Sequence, residues 1–400
     1  MPLNFLQLKE MELDGKKVLV RVDYNVPIKN GVIEDDTRLR ATIPTINFLL
    51  EKNCRIILMS HLGRPQKLLK EEKNVEDIKK ELTLKPVAEE LSELFGVDVG
   101  FLDDCIDVNI TSDNDVVLLE NLRFHAEEEK NDEGFAKKLA KFGDVFINDA
   151  FGACHRAHAS VSAITTFLPS CAGFLVEKEV KHLSRLLNPE RPFVAIIAGA
   201  KEDKIGALRA LAKKADKLLI GGVLANTLLK AKGVDIGASR FDDETFSAAK
   251  EILNISGKKL ILPVDFVVAD KFDNEANIKV VSADEIPFGW MCLDIGPETI
   301  EMYKEELKDA KTVLWAGPLG VFEMDKFSNG TKQIGEFIGS LDAEKIAGGG
   351  DTASAISNFK LSDKITHIST GGGASLEFIE LDGKLPALVA LEEAYFRAEE

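Results

Sequence analysis

The chain has 400 residues, 45% hydrophobic and 29% charged, a globular composition that excludes a disordered, collagen-like or disulfide-scaffold protein and leaves room for more than one buried core. Lysine and arginine number 50 against 67 acidic residues, a formal charge of −17, which disfavours non-specific binding to nucleic acid or an anionic membrane. Any anionic ligand must therefore find a local cluster of cations.

Residues 1–17 mix apolar positions with Lys9, Glu10, Glu12 and Asp14 and lack the apolar core of a signal peptide, so the mature protein is expected to begin near residue 1. Short β-branched runs then recur at 18–22, 55–59, 116–119 and 145–147, and again at 193–197, 218–220, 260–262, 312–315 and 365–369, separated by longer amphipathic segments. Alternation of this kind predicts parallel sheets covered on both faces. The stretch 157–176 lacks Asp, Glu, Lys and Arg, but Ser160, Ser162, Thr165, Thr166, Pro169 and Ser170 argue against a membrane helix. Val180, Leu183 and Leu187 share a helical spacing between Gly173 and Pro189. The expectation is an α/β protein of two Rossmann-like, three-layer domains, 1–176 and 191–384, joined by a hinge helix at 177–190. The charged runs 67–80 and 127–133 read as solvated faces. Five scattered cysteines, Cys54, Cys105, Cys154, Cys171 and Cys292, without a Cys-x-x-Cys pair, suit buried thiols in a cytoplasmic compartment and not a standard zinc site.

In open parallel sheets ligands bind beyond the carboxyl ends of the strands. In the N-terminal half those ends carry Asp23 and Asn25, then His61 and Arg64, then Arg123, and then Arg156 two residues before His158. Each alone is an ordinary surface charge or structural histidine, but their coincidence in an acidic chain points to a small, multiply anionic ligand. Arg38 follows Asp35-Asp36-Thr37, a helix-start signal, where the helix dipole opposes a cation unless an anion lies close. The C-terminal half places glycine loops at its strand ends: 199 and 221–222, then 317–320, 348–350 and 371–373. Glycine lets backbone approach a phosphate at a helix N-terminus. With Lys201, Lys204 and Asp351 nearby, these loops suggest a nucleotide and its Mg²⁺, the alternative for Asp351 being simple helix capping. Residues 348–353 satisfy G-x-G-x-x-G/A, but the acidic residue expected about 20 positions on is missing. No P-loop and no H-R-D or D-F-G set occurs.

These motifs resemble the phosphoglycerate kinase family: 20–27 (VRVDYNVP), 60–65 (SHLGRP), 148–152 (NDAFG) with 155–158 (HRAH), 348–352 (GGGDT) and 369–375 (STGGGAS), in the family's order and over essentially the whole chain. The resemblance implies reversible transfer of the acyl phosphate of 1,3-bisphosphoglycerate to ADP, giving 3-phosphoglycerate and ATP. It implies an acid-substrate site of Asp23, Tyr24, Asn25, Arg38, His61, Leu62, Gly63, Arg64, Arg123 and Arg156. The implied nucleotide site is Lys204, Gly296, Glu323 and Gly349, Gly350, Asp351 and Thr352, with Asp351 holding Mg²⁺. Arg38, Lys201 and the backbone at Gly372 would stabilise the transferring phosphoryl group. It further implies a monomer with small-molecule partners only, closing by hinge bending, whose segment 385–400 returns to the N-terminal domain. Three departures stand out: Ala316 where the family usually has Asn, Ala198 and Glu202 for its usual Gly and Val, and a long stretch between Arg64 and Pro86. An inactive relative that binds nucleotide or 3-phosphoglycerate without turnover is the alternative, opposed by the presence of Arg38, Lys201 and Asp351.

Overall fold

The computed structural model describes residues 4–71, 74–110, 113–199 and 205–399. The chain forms two compact units: Met1–Lys181 with Lys384–Glu400, and His182–Gly383. The strands of the first unit are β1 (Lys17–Val22), β2 (Ile28–Lys29), β3 (Val32–Ile33), β4 (Arg55–Met59), β5 (Val99–Leu102), β6 (Val116–Leu119), β7 (Val145–Asp149) and β8 (Ser170–Ala172). Six of them form one parallel sheet in the order β5-β6-β4-β1-β7-β8. Val20 pairs with Leu58 on one side and Ile147 on the other, and all three are fully buried, as expected for strands covered on both faces. Between β2 and β3, Asn30 and Gly31 both adopt positive φ, the turn that Asn-Gly favours in a two-residue hairpin.

The second unit contains β9 (Phe193–Ile197), β10 (Lys217–Ile220), β11 (Leu260–Ile261), β12 (Asp265–Ala269), β13 (Ile278–Ser282), β14 (Met291–Ile295), β15 (Thr312–Ala316), β16 (Glu344–Ala347) and β17 (His367–Ile368). Its main sheet, β11-β10-β9-β15-β16-β17, is again parallel. Trp315 is buried at its centre and donates its indole N–H to Gly317 O at 3.0 Å.

Both units are thus Rossmann-like α/β, and the nine sequence runs all correspond to strands. Periodicity did not reveal β5, β8 and β16, nor the antiparallel sheet β13-β12-β14. The reason is visible in β13, whose residues are mostly exposed and whose apolar positions, Ile278 and Val280, alternate with nothing buried. β7 also runs on through Asp149. The uncharged stretch 157–176 holds a 3₁₀ turn, β8 and the start of a helix, and among the described residues no helix is long and apolar enough to cross a membrane.

The helix expected from residue 177 begins at Phe174 and runs to Leu183, so the chain passes between the units inside it. Its start is set by Asp149, whose Oδ1 accepts from Leu175 N at 2.8 Å. Gly173 is required there, since a Cβ would lie 2.3 Å from the same oxygen. The helix Pro386–Glu399 belongs to the first unit, held by Ala387 N to Cys154 O at 3.1 Å and Arg397 Nη2 to Thr165 O at 3.0 Å.

Leu58→Ala is expected to destabilise the first unit by about 2–5 kcal/mol, the cost of a cavity at a site closed on both sheet faces. A urea transition of that unit that shifts by less than the equivalent of about 1 kcal/mol would show that the site collapses around the smaller side chain.

Candidate active site

The central strands β6, β4, β1 and β7 lie side by side and end at one edge, so their following residues meet there. Asn121, after β6, ties the loops together: its Oδ1 accepts from Leu62 N at 3.1 Å and Arg123 N at 3.0 Å, and its Nδ2 donates to Leu62 O at 2.7 Å. Asn25 Oδ1 accepts from Gly63 N at 2.9 Å, and Arg123 Nη1 donates to Gly63 O at 2.7 Å. Gly63 has φ +63° and its missing Cβ faces Leu82 at 2.8 Å, so a side chain is excluded by both conformation and space.

Asp23 is buried and its Oδ2 accepts from Arg38 Nη1 at 2.8 Å. Arg38 sits in the first turn of the helix Thr37–Ala41, where the dipole opposes it, and Asp23 supplies the neighbouring anion. The Arg38 side chain keeps 32% of its surface exposed, and Asp23 takes one of its five N–H donors, so the rest can serve a ligand. Arg64 is exposed at the start of the helix Pro65–Lys70, and Arg156 is partly buried with its Nε donating to His155 Nε2 at 2.9 Å. Tyr24 and Leu62 turn their side chains into the core instead: Tyr24 is fully buried, its hydroxyl 2.9 Å from that of Thr42.

Beneath this edge lies a network that sequence reasoning missed. Arg21, fully buried in β1, donates from Nε to Ser160 Oγ at 2.8 Å and from Nη1 to Val22 O, and its Nη2 lies 3.0 Å from His61 Nδ1. Ser160 donates from Oγ to Glu128 Oε1 at 2.5 Å and from its backbone N to Oε2 at 2.9 Å. Guanidinium has no acceptor, so His61 must accept at Nδ1 and carry its proton on Nε2. Burial and then Arg21, Arg123 and Arg38 hold the His61 pKa well below its ordinary value. The same causes, burial first and then Arg123, Arg21 and Arg156, bring His158 down to about 3. Burial also lowers Arg123 to about 10. Neutral histidines among arginines leave a concentrated positive field, the electrostatics of an anion site.

In the second unit a cavity of about 520 Å³ is lined by Gly199, Gly222, Gly320, Glu323 and Asp351, with Val223, Phe266, Met291 and Leu293 as apolar walls. Gly222 has φ +60° and a Cβ there would meet Gly199 N at 2.7 Å, so the two backbone segments touch. Gly349 caps the helix Gly350–Asn358, whose first turn carries Asp351. Thr352 is buried, its Oγ1 accepting from Gly317 N at 2.7 Å and donating to Gly348 O at 2.8 Å, which positions two glycine loops. Gly372, φ +56°, caps the helix Gly373–Glu380. Gly296 caps the helix Pro297–Leu307 and packs on Asp265, whose Oδ2 lies 2.2 Å from where a Cβ would be. Ala316 is buried at the end of β15. Lys201 and Lys204, and Glu202, lie outside the described residues.

Comparison with known proteins decides the family. The family model described as phosphoglycerate kinase matches residues 8–384. The chain belongs to the phosphoglycerate kinase family. It is an enzyme of that phosphotransferase family, and it is 50% identical over 400 residues to the phosphoglycerate kinase of Moorella thermoacetica, covering 97% of this chain and 99% of the relative. It is also 50% identical to that of Borrelia garinii subsp. bavariensis over 391 residues, 95% of this chain and 97% of the relative. Among solved structures, phosphoglycerate kinase from Coxiella burnetii superposes with a TM-score of 0.84 at 38% identity, covering 98% of this chain and 100% of that one. The Pyrococcus horikoshii enzyme gives 0.83 at 32%, covering 98% and 99%.

For a phosphoglycerate kinase family member the donor set suits Mg²⁺. Asp351 offers a carboxylate beside a glycine-built helix start, and Mg²⁺ takes one or two carboxylates with phosphate oxygens and water completing its shell. Among the described residues, one other group, Asp104, Cys105 and His125, brings ligand-type atoms within 4.8 Å of one another, but His125 Nε2 and Asp104 Oδ1 already bond at 2.7 Å. The acidic run 127–133 is not uniformly solvated: Glu128 is fully buried, because Arg21 and Ser160 pay its desolvation. An arginine at the fourth position of the otherwise apolar run 18–22 was the available signal for Arg21.

His158 yields a pH prediction. Its pKa is about 3 in the folded chain and about 6.5 unfolded, so between those values the unfolded state binds the extra proton. Its contribution to stability is complete above about pH 6.5 and is lost as pH falls. Between pH 4.5 and 6 the stability of the first unit should rise with pH, and His158→Gln should reduce that slope by about 1.4 kcal/mol per pH unit. Urea titrations at several pH values measure it; an unchanged slope would show that His158 is protonated in the native state.

Proposed function

We propose that the chain catalyses 1,3-bisphosphoglycerate + ADP = 3-phosphoglycerate + ATP, the acid substrate held by the first unit and the nucleotide by the second. The observation that carries the reading is the gathering of Arg38, His61, Arg123 and Arg156 at one sheet edge of a chain in this family. No observation favours a relative that binds without turnover.

Transfer forms a bond between phosphorus and a β-phosphate oxygen of ADP and breaks the bond to the carboxyl oxygen, which leaves as carboxylate. The attacking phosphate oxygen is ionised before the transfer and the departing carboxyl oxygen after it, so no proton moves and no general base is needed. The protein's task is positioning and charge stabilisation. His61 Nε2–H, Arg64, Arg123 and Arg156 hold the acid substrate, while Asn25 and Gly63 fix the loop beneath it. Arg38, freed in part from Asp23, follows the charge on the transferring phosphoryl group together with Lys201 and the helix start at Gly372. Asp351 would hold Mg²⁺, which when bound would offset charge on the nucleotide phosphates, and Glu323, Lys204 and the backbone of Gly349 and Gly350 hold the nucleotide, with Thr352 shaping that loop. Bringing donor and acceptor together requires hinge bending, which also excludes water from the phosphoryl group.

We further propose a cytoplasmic monomer with small-molecule partners only. The charge of −17 supports the exclusion of nucleic acid and membrane, and five unpaired thiols support a reducing compartment.

The deciding assay supplies Mg²⁺, ATP and 3-phosphoglycerate and follows ADP through a coupled reaction; turnover is expected, and its absence while both ligands bind would overturn the proposal. Arg38→Ala should lower kcat about a hundredfold or more with a much smaller change in nucleotide KM. An unchanged kcat would remove Arg38 from the transition state.

A further inference from the structure

The nucleotide cavity carries a cation with no task in the reaction described so far. Arg240 lines it, on the segment between the helices Gly222–Ala231 and Asp243–Ser256. That segment is pinned: Asn226 Nδ2 donates to Arg240 O at 3.1 Å, Cys292 N to Ser239 Oγ at 2.9 Å, and Ala238 N to Trp290 O at 2.7 Å. Arg240 itself is exposed and forms no side-chain ion pair among the described residues, although the chain has an excess of acids.

Arg240 and Asp351 line the same cavity on different elements: Asp351 starts the helix after β16, whereas the Arg240 segment follows the helix after β10 and is tied to Trp290 and Cys292 beside the apolar walls. With the phosphates at Asp351 and the glycine loops, the base reaches the apolar walls Val223, Phe266, Met291 and Leu293, and Arg240 stands at its edge. A guanidinium only donates. Guanine presents two acceptors side by side, N7 and O6, which a guanidinium fork matches; adenine presents N7 beside an amine that also donates.

We propose that Arg240 reads the purine edge and makes guanosine nucleotides co-substrates at least as good as adenosine nucleotides. This rests on the phosphotransfer reading of the same site and deepens it by naming the base.

The test uses the full chain with Mg²⁺ in two measurements: kcat/KM for GTP and ATP with 3-phosphoglycerate, and calorimetric Kd values for GDP and ADP. In the unsubstituted protein the guanosine-to-adenosine preference should be one or greater in both. Arg240→Leu should lower that preference about tenfold, and Arg240→Lys, which keeps the charge and loses the fork, should lower it nearly as far. A guanosine-to-adenosine preference below one in either measurement, a preference moved less than twofold by Arg240→Leu, or one kept by Arg240→Lys would each overturn the inference. Turnover with ATP alongside any of these leaves the proposed reaction standing. No turnover with either nucleotide, with the binding preference present and lost in Arg240→Leu, overturns the reaction and supports the base reading.

Discussion

The first unit depends on one buried carboxylate. Glu128 has no exposed surface, and burying a lone charge of that kind is costly unless it is paired and hydrogen-bonded. Here both its oxygens are taken by Ser160, and Arg21 stands behind Ser160. Burial pushes the Glu128 pKa up, while the field of Arg21, the bonds from Ser160 and the charge of Arg123 bring it down. Removing Glu128 would leave Arg21 buried among Arg123, Arg156 and three histidines with only the weaker field of Asp23 to oppose them. The cluster that gives the site its field is therefore held together chiefly by this acid.

The same chain of contacts fixes the chemistry of the ligand-facing groups. Arg21 can only donate, so His61 is locked with its proton on Nε2, and a depressed pKa keeps it neutral at physiological pH. A neutral donor in a rigid tautomer is a directional hydrogen-bond group, and its orientation is set before a ligand arrives. Asp23 does the equivalent for Arg38, holding it against the helix dipole at 2.8 Å while leaving it partly exposed. On the proposed reading each acid acts through another group, Asp23 directly on Arg38 and Glu128 on His61 through Ser160 and Arg21.

Much of this was legible in the sequence because strand ends converge. Four β-branched runs followed by Asp23, His61, Arg123 and Arg156 place those residues at one edge as soon as the sheet is parallel, whatever the details of packing. Arg21 and Glu128 were hidden for the opposite reason. Arg21 points from within a strand, and Glu128 sits in an acidic run whose other members are solvated, so only the tertiary partner Ser160 distinguishes it. The sheet β13-β12-β14 was hidden because its edge strand is largely exposed and lacks the buried alternation that marks a strand. That omission also hid Met291 and Leu293, walls of the second unit's cavity.

On the proposed reading the two units meet the same problem, binding phosphate in an acidic protein, by different physics. The first concentrates side-chain cations and keeps its histidines neutral, which makes its affinity sensitive to salt. The second relies on backbone: Gly349 and Gly372 open helix starts, Gly222 lets two segments touch, and Thr352 locks the loops with one hydroxyl. Backbone N–H groups do not titrate and add no net charge, so they hold phosphates without reference to the overall −17. A lone exposed guanidinium is foreign to that second strategy. Arg240 is therefore better explained by the proposed contact with the base than by the phosphates, for which the glycine loops and the Asp351 carboxylate already offer a place.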